Sequence, residues 1–433
     1  MAQPSITSIH KSVLAWQHTP GDWCEGPIEA SSDWESEEGT TVDRLRHYAA
    51  EPDPIRVTFV EDPSLNDAVT QTRDPIYGLR NPGDVTIELP MGGSESATED
   101  ASQVAETAQM RLFEAMLGGL TRGYSSAITT VNSQTSHDPT TTTGIAEGIQ
   151  YGYQDNDDLT LIYPARVLTE DGSTATFDRA PPFTITTSDH LKAMAVAYID
   201  EDALVDPNDS NAQHSNWLIQ KGGLCWEMLG CCVQADTLSF PRNEVPRLSA
   251  TIMGTYAKVP GDLAPSAPSW DDSSNSEAGD EGQVVGARTK LHIQDVGTTT
   301  LNMVDIVAGT FVVNFGLPRV RLETGTEVDD RAQGTAGFTL AKAETIIEFQ
   351  AYLDTGWQDD WDTLQHKIIS YYQVSSGGNV WHVHAPNAVL MEPPQRVGAQ
   401  ESNCYTLRFK CLQDRSLAVQ TDLARSRVTV AWG

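Results

Sequence analysis

The stretch Asn81-Pro82-Gly83-Asp84-Val85-Thr86-Ile87-Glu88-Leu89 decides how the chain is read. Proline, glycine and aspartate mark a turn, and the five residues after them alternate apolar and polar, the period of a strand with one buried face. The same grammar recurs at Ile55–Val60, Leu159–Tyr163, Phe183–Thr187, Leu248–Met253, Thr310–Phe315, Ile346–Tyr352 and Tyr405–Cys411. Longer apolar runs at Cys231–Phe240 and Val380–Met391 add further strands. The expected fold is therefore mainly β with flanking helices.

Two segments carry helical spacing instead. Ala101, Val104, Ala105, Ala108, Leu112, Ala115 and Met116 form one stripe, with Ser96-Ala97-Thr98-Glu99 as a capping box and Gly118-Gly119 as the stop. Trp361, Leu364, Ile368 and Tyr372 form the second stripe, preceded by Asp359 and Asp360. An offset of 260 maps Ile87-Glu88-Leu89 onto Ile347-Glu348-Phe349, and the same offset maps Ala101, Val104, Ala108 and Leu112 onto Trp361, Leu364, Ile368 and Tyr372. This predicts a repeated strand-and-helix unit. Between the copies, residues 258–285 are rich in Pro, Ser, Gly and acids and read as a linker or long surface loop. The expected organisation is residues 1–257 with an N-terminal arm and an insertion at about 120–215, the linker 258–285, and residues 286–433 with a C-terminal arm.

Composition excludes one large class. The chain has 433 residues, 60 Asp and Glu against 28 Lys and Arg, and a formal net charge of −32. A nucleic-acid binder must supply cations to displace counterions from phosphates, and here cations are outnumbered about two to one. Only 8 of the 28 are lysines, and such an acidic, lysine-poor surface resembles proteins of salt-loving organisms. No apolar run is long enough for a membrane span and no signal-peptide core is visible at the N-terminus, so a soluble product is expected. The cysteines at 24, 225, 231, 232, 404 and 411 are too sparse for a disulfide framework.

Chemical motifs are few. No phosphate loop, nucleophile elbow or zinc-protease helix is present. His382-Val383-His384 sets two imidazoles on one face of a strand, which is either half a metal site or a polar strand face. Cys225, Cys231 and Cys232 could supply thiolates or serve as small core residues among Trp226, Met228, Leu229 and Val233. The acid clusters Asp33–Glu38 and Asp155–Asp158 lack the spacing of a calcium loop and read as solvated surface. No catalytic, cofactor-binding or metal-binding residue is assigned, and the chain is expected not to be an enzyme.

The order of elements resembles the tail tube (major tail) proteins of long-tailed viruses. The likeness rests on residues 81–89, the helix end Leu112-Phe113-Glu114-Ala115-Met116-Leu117-Gly118, Pro182–Ile185, and the closing pair Gly230–Phe240 with Pro246–Thr251. It is repeated by Phe311–Phe315, Ile346–Phe349 and Val380–Met391. Such a resemblance implies duplicated β-sandwich or half-barrel domains. Three chains would then form a ring of pseudo-sixfold symmetry, a hexamer being the alternative, and the rings would stack into a tube capped by other tail proteins. Genomic DNA would pass through without specific binding, in a virion assembled in the host cytoplasm, the host being a halophilic archaeon. A baseplate or receptor-binding β-sandwich that stacks sugars on Trp357, Trp361 or Trp381 is the alternative reading.

Overall fold

The computed structural model describes residues 12–20, 42–45, 49–52, 56–61, 75–81, 83–93, 103–104, 106–141, 143–159, 161–205, 213–221, 224–258, 288–298, 302–323, 335–352, 356–375, 378–399, 402–415, 417–418 and 421–433. Strands β1 (Ser12–Pro20), β2 (Val42–Leu45), β3 (Ala49–Pro52), β4 (Arg56–Glu61), β5 (Pro75–Asn81) and β6 (Val85–Pro90) come first. Helix α1 (Ala108–Leu117) and β7 (Gly118–Arg122) follow. A closed barrel is then built from β8 (Ser126–Ser133), β9 (Ser136–Pro139), β10 (Gln150–Gln154), β11 (Ile162–Glu170), β12 (Ala175–Phe177) and β13 (His190–Ala193). The chain continues through β14 (Ala195–Ile199), α2 (Glu201–Val205), β15 (Gln213–Lys221), β16 (Leu224–Ser239), β17 (Arg247–Met253) and β18 (Tyr256–Lys258).

Beyond residue 287 come β19 (Arg288–Asp295), β20 (Asn302–Val304), β21 (Val312–Asn314), β22 (Arg319–Glu323), β23 (Thr335–Leu340) and β24 (Ile346–Tyr352). The last elements are α3 (Gly356–Asp362), β25 (Lys367–Val374), β26 (Val380–Leu390), β27 (Gln395–Ala399), β28 (Ser402–Cys411), α4 (Asp422–Arg425) and β29 (Thr429–Trp432). The fold is mainly β, with a few short helices, a small six-stranded barrel and larger open sheets.

An antiparallel run of the main sheet crosses both halves of the chain in the order β3, β6, β17, β16, β21, β24, β28 and β26. Its strands alternate as expected. Val85, Ile87 and Leu89 on β6, Leu248, Ala250 and Ile252 on β17, and Ile347, Phe349 and Ala351 on β24 are all buried in one core. That core takes side chains from both sides of residues 258–285, because Phe113 of α1 packs on Trp432 and Trp381 at ring separations of 4.8 and 6.1 Å.

The offset of 260 survives in the strands and fails in the helices. β6 pairs with β17 and β24 with β28, so Ile87 faces Ala250 and Ile347 faces Phe409. Helix α1, however, begins at Ala108: Thr107 is its N-cap, its side chain accepting from the Met110 amide, and Gln103 bridges to Tyr124 instead of entering the helix. Residues 94–100, which hold the expected capping box, lie outside the described residues. The stop is where the glycine pair places it. Gly118 caps the helix at φ 90, and a Cβ there would sit 2.5 Å from the Asp200 carbonyl oxygen.

The expected helix at Trp361–Tyr372 is not formed. Helix α3 ends at Asp362, Leu364 is exposed at φ 51, and residues 367–374 are strand β25. The spacing of four from Leu364 to Ile368 to Tyr372 is even, so it satisfies a strand's period of two as well as a helix's. Phe183–Thr187 is not a strand either, and Leu159–Tyr163 anticipates a strand that starts at Ile162. The barrel occupies residues 126–193 of the 120–215 insertion, whereas β14 and β15 belong to the main sheet. Residues 259–287 lie outside the described residues, apart from which the linker boundary at Lys258 is the last residue of β18.

Candidate functional site

Two polar features stand out: the solvated face of the crossing sheet and a buried polar layer beneath the barrel. On the sheet, outward residues alternate with the core residues named above and include Thr86, Glu88, Ser249, Thr251, Asn314, Glu348 and Gln350. Arg247 is held between Glu88, at 3.0 Å, and Glu244. Arg408 is held in the same way between Glu348 at 3.1 Å and Glu392 at 3.5 Å. Glu88 and Glu348 are the residues related by the 260 offset, so each strand pair carries an arginine clamped by two glutamates. Asp236 accepts from Thr251 at 2.8 Å and from Gln234 at 2.8 Å on the same face. Lys410, on the same face of β28 as Arg408, pairs with Glu344 at 2.9 Å, so six carboxylates stand there against three cations.

The buried layer arises because β14, β25, β26 and β29 are covered on both sides. Ile369, Tyr371, Trp381, Val383, Val430 and Trp432 enter the main core, while Tyr372, Val374, Val380 and Ala431 enter the barrel core. His382 and His384 are on the barrel side, fully buried, with ring centroids 5.8 Å apart. A buried polar group needs a partner. The Ser370 hydroxyl lies 2.7 Å from His382 Nε2, and the Arg179 guanidinium lies 3.5 Å from His384 Nδ1. Arg179 is anchored by Asp178 at 2.5 Å, whose other oxygen accepts from the Arg166 amide. Arg166 in turn binds Asp414 at 2.7 Å and the Ala424 carbonyl at 2.8 Å, tying the barrel to the C-terminal segment. His292 stacks on Tyr372 at 5.7 Å, with Tyr163 edge-on to both.

Burial, reinforced by Arg179 and Lys290, pushes His292 down to about 4. Burial also holds His382 well below the usual range, aided by His384 and Arg179 nearby, and holds His384 there with Arg166 and Arg179 as its cationic neighbours. The pair is therefore neutral near pH 7. Among the described residues no group of three or more His, Cys, Asp or Glu is placed to hold a metal ion. His382 and His384 act as hydrogen-bonding members of a packed layer.

The other candidates fall in different places. Cys231 points into the main core and Cys232 to the opposite side with Met253 and Phe338, as successive strand residues must. Burial raises both thiols, Cys232 to about 12. The Cys225 side chain and the cluster Asp33–Glu38 lie outside the described residues. Asp155–Asp158 forms a turn in which the Asp155 carboxylate accepts from the Asp157 amide. Trp381 is buried against Trp432, Trp357 against Phe409, and Trp361 packs partly buried on the core. The buried layer itself has no signal in a one-dimensional reading, since Arg166, Arg179, His292 and Asp414 are far apart in sequence; only the paired histidines hinted at it. No helix among the described residues is long and apolar enough to cross a membrane. No protein-family model matches the chain, and no curated protein matches it significantly.

Proposed function

We propose that this chain is a structural virion protein whose rings stack into a tail tube, a conduit for the viral genome. The observation that carries the reading is the continuous sheet running through both halves, with one apolar face sealed in the core and a second face that is largely polar and is covered by hairpin β22–β23 only beside Cys232 and Gln234. A wall of Thr, Ser, Asn, Gln and clamped Glu–Arg pairs, with carboxylates in excess, offers phosphates no row of free cations. DNA meeting such a wall is repelled at short range and passes without being retained.

In this reading the unpaired sheet edges are completed by neighbours, which removes the aggregation hazard of an open sheet. The related strand pairs β6–β17 and β24–β28 let three chains supply six similar wall segments. With −32 per chain, repulsion between subunits reaches about 10 Å at 0.1 M salt and only about 3 Å at 1 M, so assembly is favoured by molar salt.

Electron microscopy of the purified chain across a salt series tests this. Hollow tubes built of three-chain rings at high salt are expected; six-chain rings would leave the tube and refute the count. Particles that stay monomeric at every salt and protein concentration would overturn the proposal. In assembled tubes, Glu88→Lys with Glu348→Lys should create DNA retention that the wild type lacks.

A further inference from the structure

Hairpin β22–β23 is built inside out. Arg319 and Arg321 face the molecule, Arg319 donating to the Leu204 carbonyl and Arg321 pairing with Asp84 while lying 5.9 Å over Phe338. The alternate residues Val320 and Leu322 face outward, 47% and 36% exposed. Val205, 45% exposed, belongs to the same patch, because its carbonyl accepts from Thr339, the register partner of Val320. A hairpin that turns cations inward and aliphatic side chains outward is shaped for contact.

The base of this hairpin leads through Lys342 into a groove of about 470 Å³ lined by Ala343, Glu344, Lys410, Arg415 and Arg427, among others. Lys410 pairs with Glu344 at 2.9 Å and Arg427 with Glu201. Lys342 and Arg415 are exposed and have no ion pair among the described residues. Three cations against one carboxylate line this groove, in a chain where acids outnumber bases about two to one.

Strand β24 starts beside Glu344 and ends at Tyr352, roughly 20 Å away at about 3.3 Å per residue. There the surface has the opposite character. Met303 and Tyr352 are 64% and 46% exposed, and they border a groove of about 420 Å³ whose charged residues are Asp295, Asp305, Asp360 and Lys367. Three carboxylates stand against one amine, the mirror of the first groove.

We infer that these two surfaces dock on each other between copies: the apolar, cationic end formed by Val205, Val320, Leu322, Lys342 and Arg415 receives the Met303–Tyr352 end of a second chain with its acidic groove. One chain cannot join its own two ends across the length of β24. Unlike patches at separate ends make a heterologous contact, which propagates from chain to chain instead of closing in a symmetric pair. Opposite charges set the register while the aliphatic and aromatic groups supply the burial. The inference rests on the tube reading only for the shape of the product.

Sedimentation velocity on full-length variants at high salt tests it. Val320→Asp with Leu322→Asp removes one end, and Met303→Asp with Tyr352→Asp removes the other; each pair should raise the concentration needed for assembly at least tenfold. An equimolar mixture keeps one intact surface on each variant and should give pairs of chains and no polymer. Val320→Ser with Leu322→Ser, and Met303→Ser with Tyr352→Ser, repeat the test with small neutral side chains should an aspartate replacement lower the melting temperature. Wild-type-like assembly of the folded variants overturns the assignment and leaves the tube reading intact, as does loss of assembly in only one of the two apolar variants. A wild-type chain that never assembles removes both.

Discussion

Strands β24 and β26 are both neighbours of β28 in one sheet, yet they live under different rules. On β24, Ile347, Phe349 and Ala351 are buried while Glu348 and Gln350 meet solvent, so water satisfies whatever the polar face leaves unpaired. On β26 every residue from Val380 to Pro386 is buried, because the main core covers one face and the barrel the other. Each polar side chain there must find its partner inside the protein, as His382 does with Ser370 and His384 with Arg179. A wet face tolerates substitution; a face covered by a second layer does not.

The largest effect should come from breaking the covered layer. Arg166→Met removes the guanidinium that binds both Asp414 and the Ala424 carbonyl, the two side chains of the ion pair being about 95% buried, and should cost about 3–5 kcal/mol in urea unfolding. Adding Asp414→Leu should return most of that loss. A double variant as unstable as the single would show that the ion pair is not what Arg166 contributes.

Acid should act on the same layer. His292, His382 and His384 have folded values depressed below the unfolded value of about 6.5. The unfolded chain therefore binds more protons as pH falls below about 6.5, and stability present above that pH is lost progressively toward pH 4. Each fully buried histidine contributes a slope of up to about 1.4 kcal/mol per pH unit. His382→Gln with His384→Gln should flatten the melting-temperature profile between pH 6.5 and 5; an unchanged slope would place the acid sensitivity elsewhere.

Core positions on the half-wet strands give a smaller and more telling number. Ile87→Val and Ile347→Val should each cost about 0.5–1.5 kcal/mol, and by similar amounts if the two strand pairs are equivalent environments. A cost at one site only would separate them. The smallest effect belongs to the wet face: Glu88→Gln or Glu348→Gln should change stability by less than about 1 kcal/mol and by nothing measurable in molar salt. A larger loss would mean that these pairs are structural.

The two helical stripes show where a linear reading works and where it fails. The stripe ending at Gly118 is a helix because it has a true stop and a single core to face. The stripe through Ile368 and Tyr372 became β25 because alternate residues are wanted by two cores, Tyr371 by one and Tyr372 by the other. The helix is capped by Thr107, adjacent to its first residue, although Ser96–Glu99 has the fuller capping-box pattern.

What the sequence by itself determined is the local grammar: strands such as 85–90 and 346–352 with one apolar face, the helix stop at Gly118, and an acid excess over the chain as a whole. These follow from the period of two, from glycine's access to positive φ, and from charge counts, all of which act between near neighbours or over the whole chain at once. Only the tertiary structure decided that residues 126–193 close into a barrel, that the barrel covers His382 and His384, and that Arg166 meets Asp414 across 248 positions. A strand buried on both faces loses its alternation, and a partner chosen by closure in three dimensions leaves no spacing behind in one.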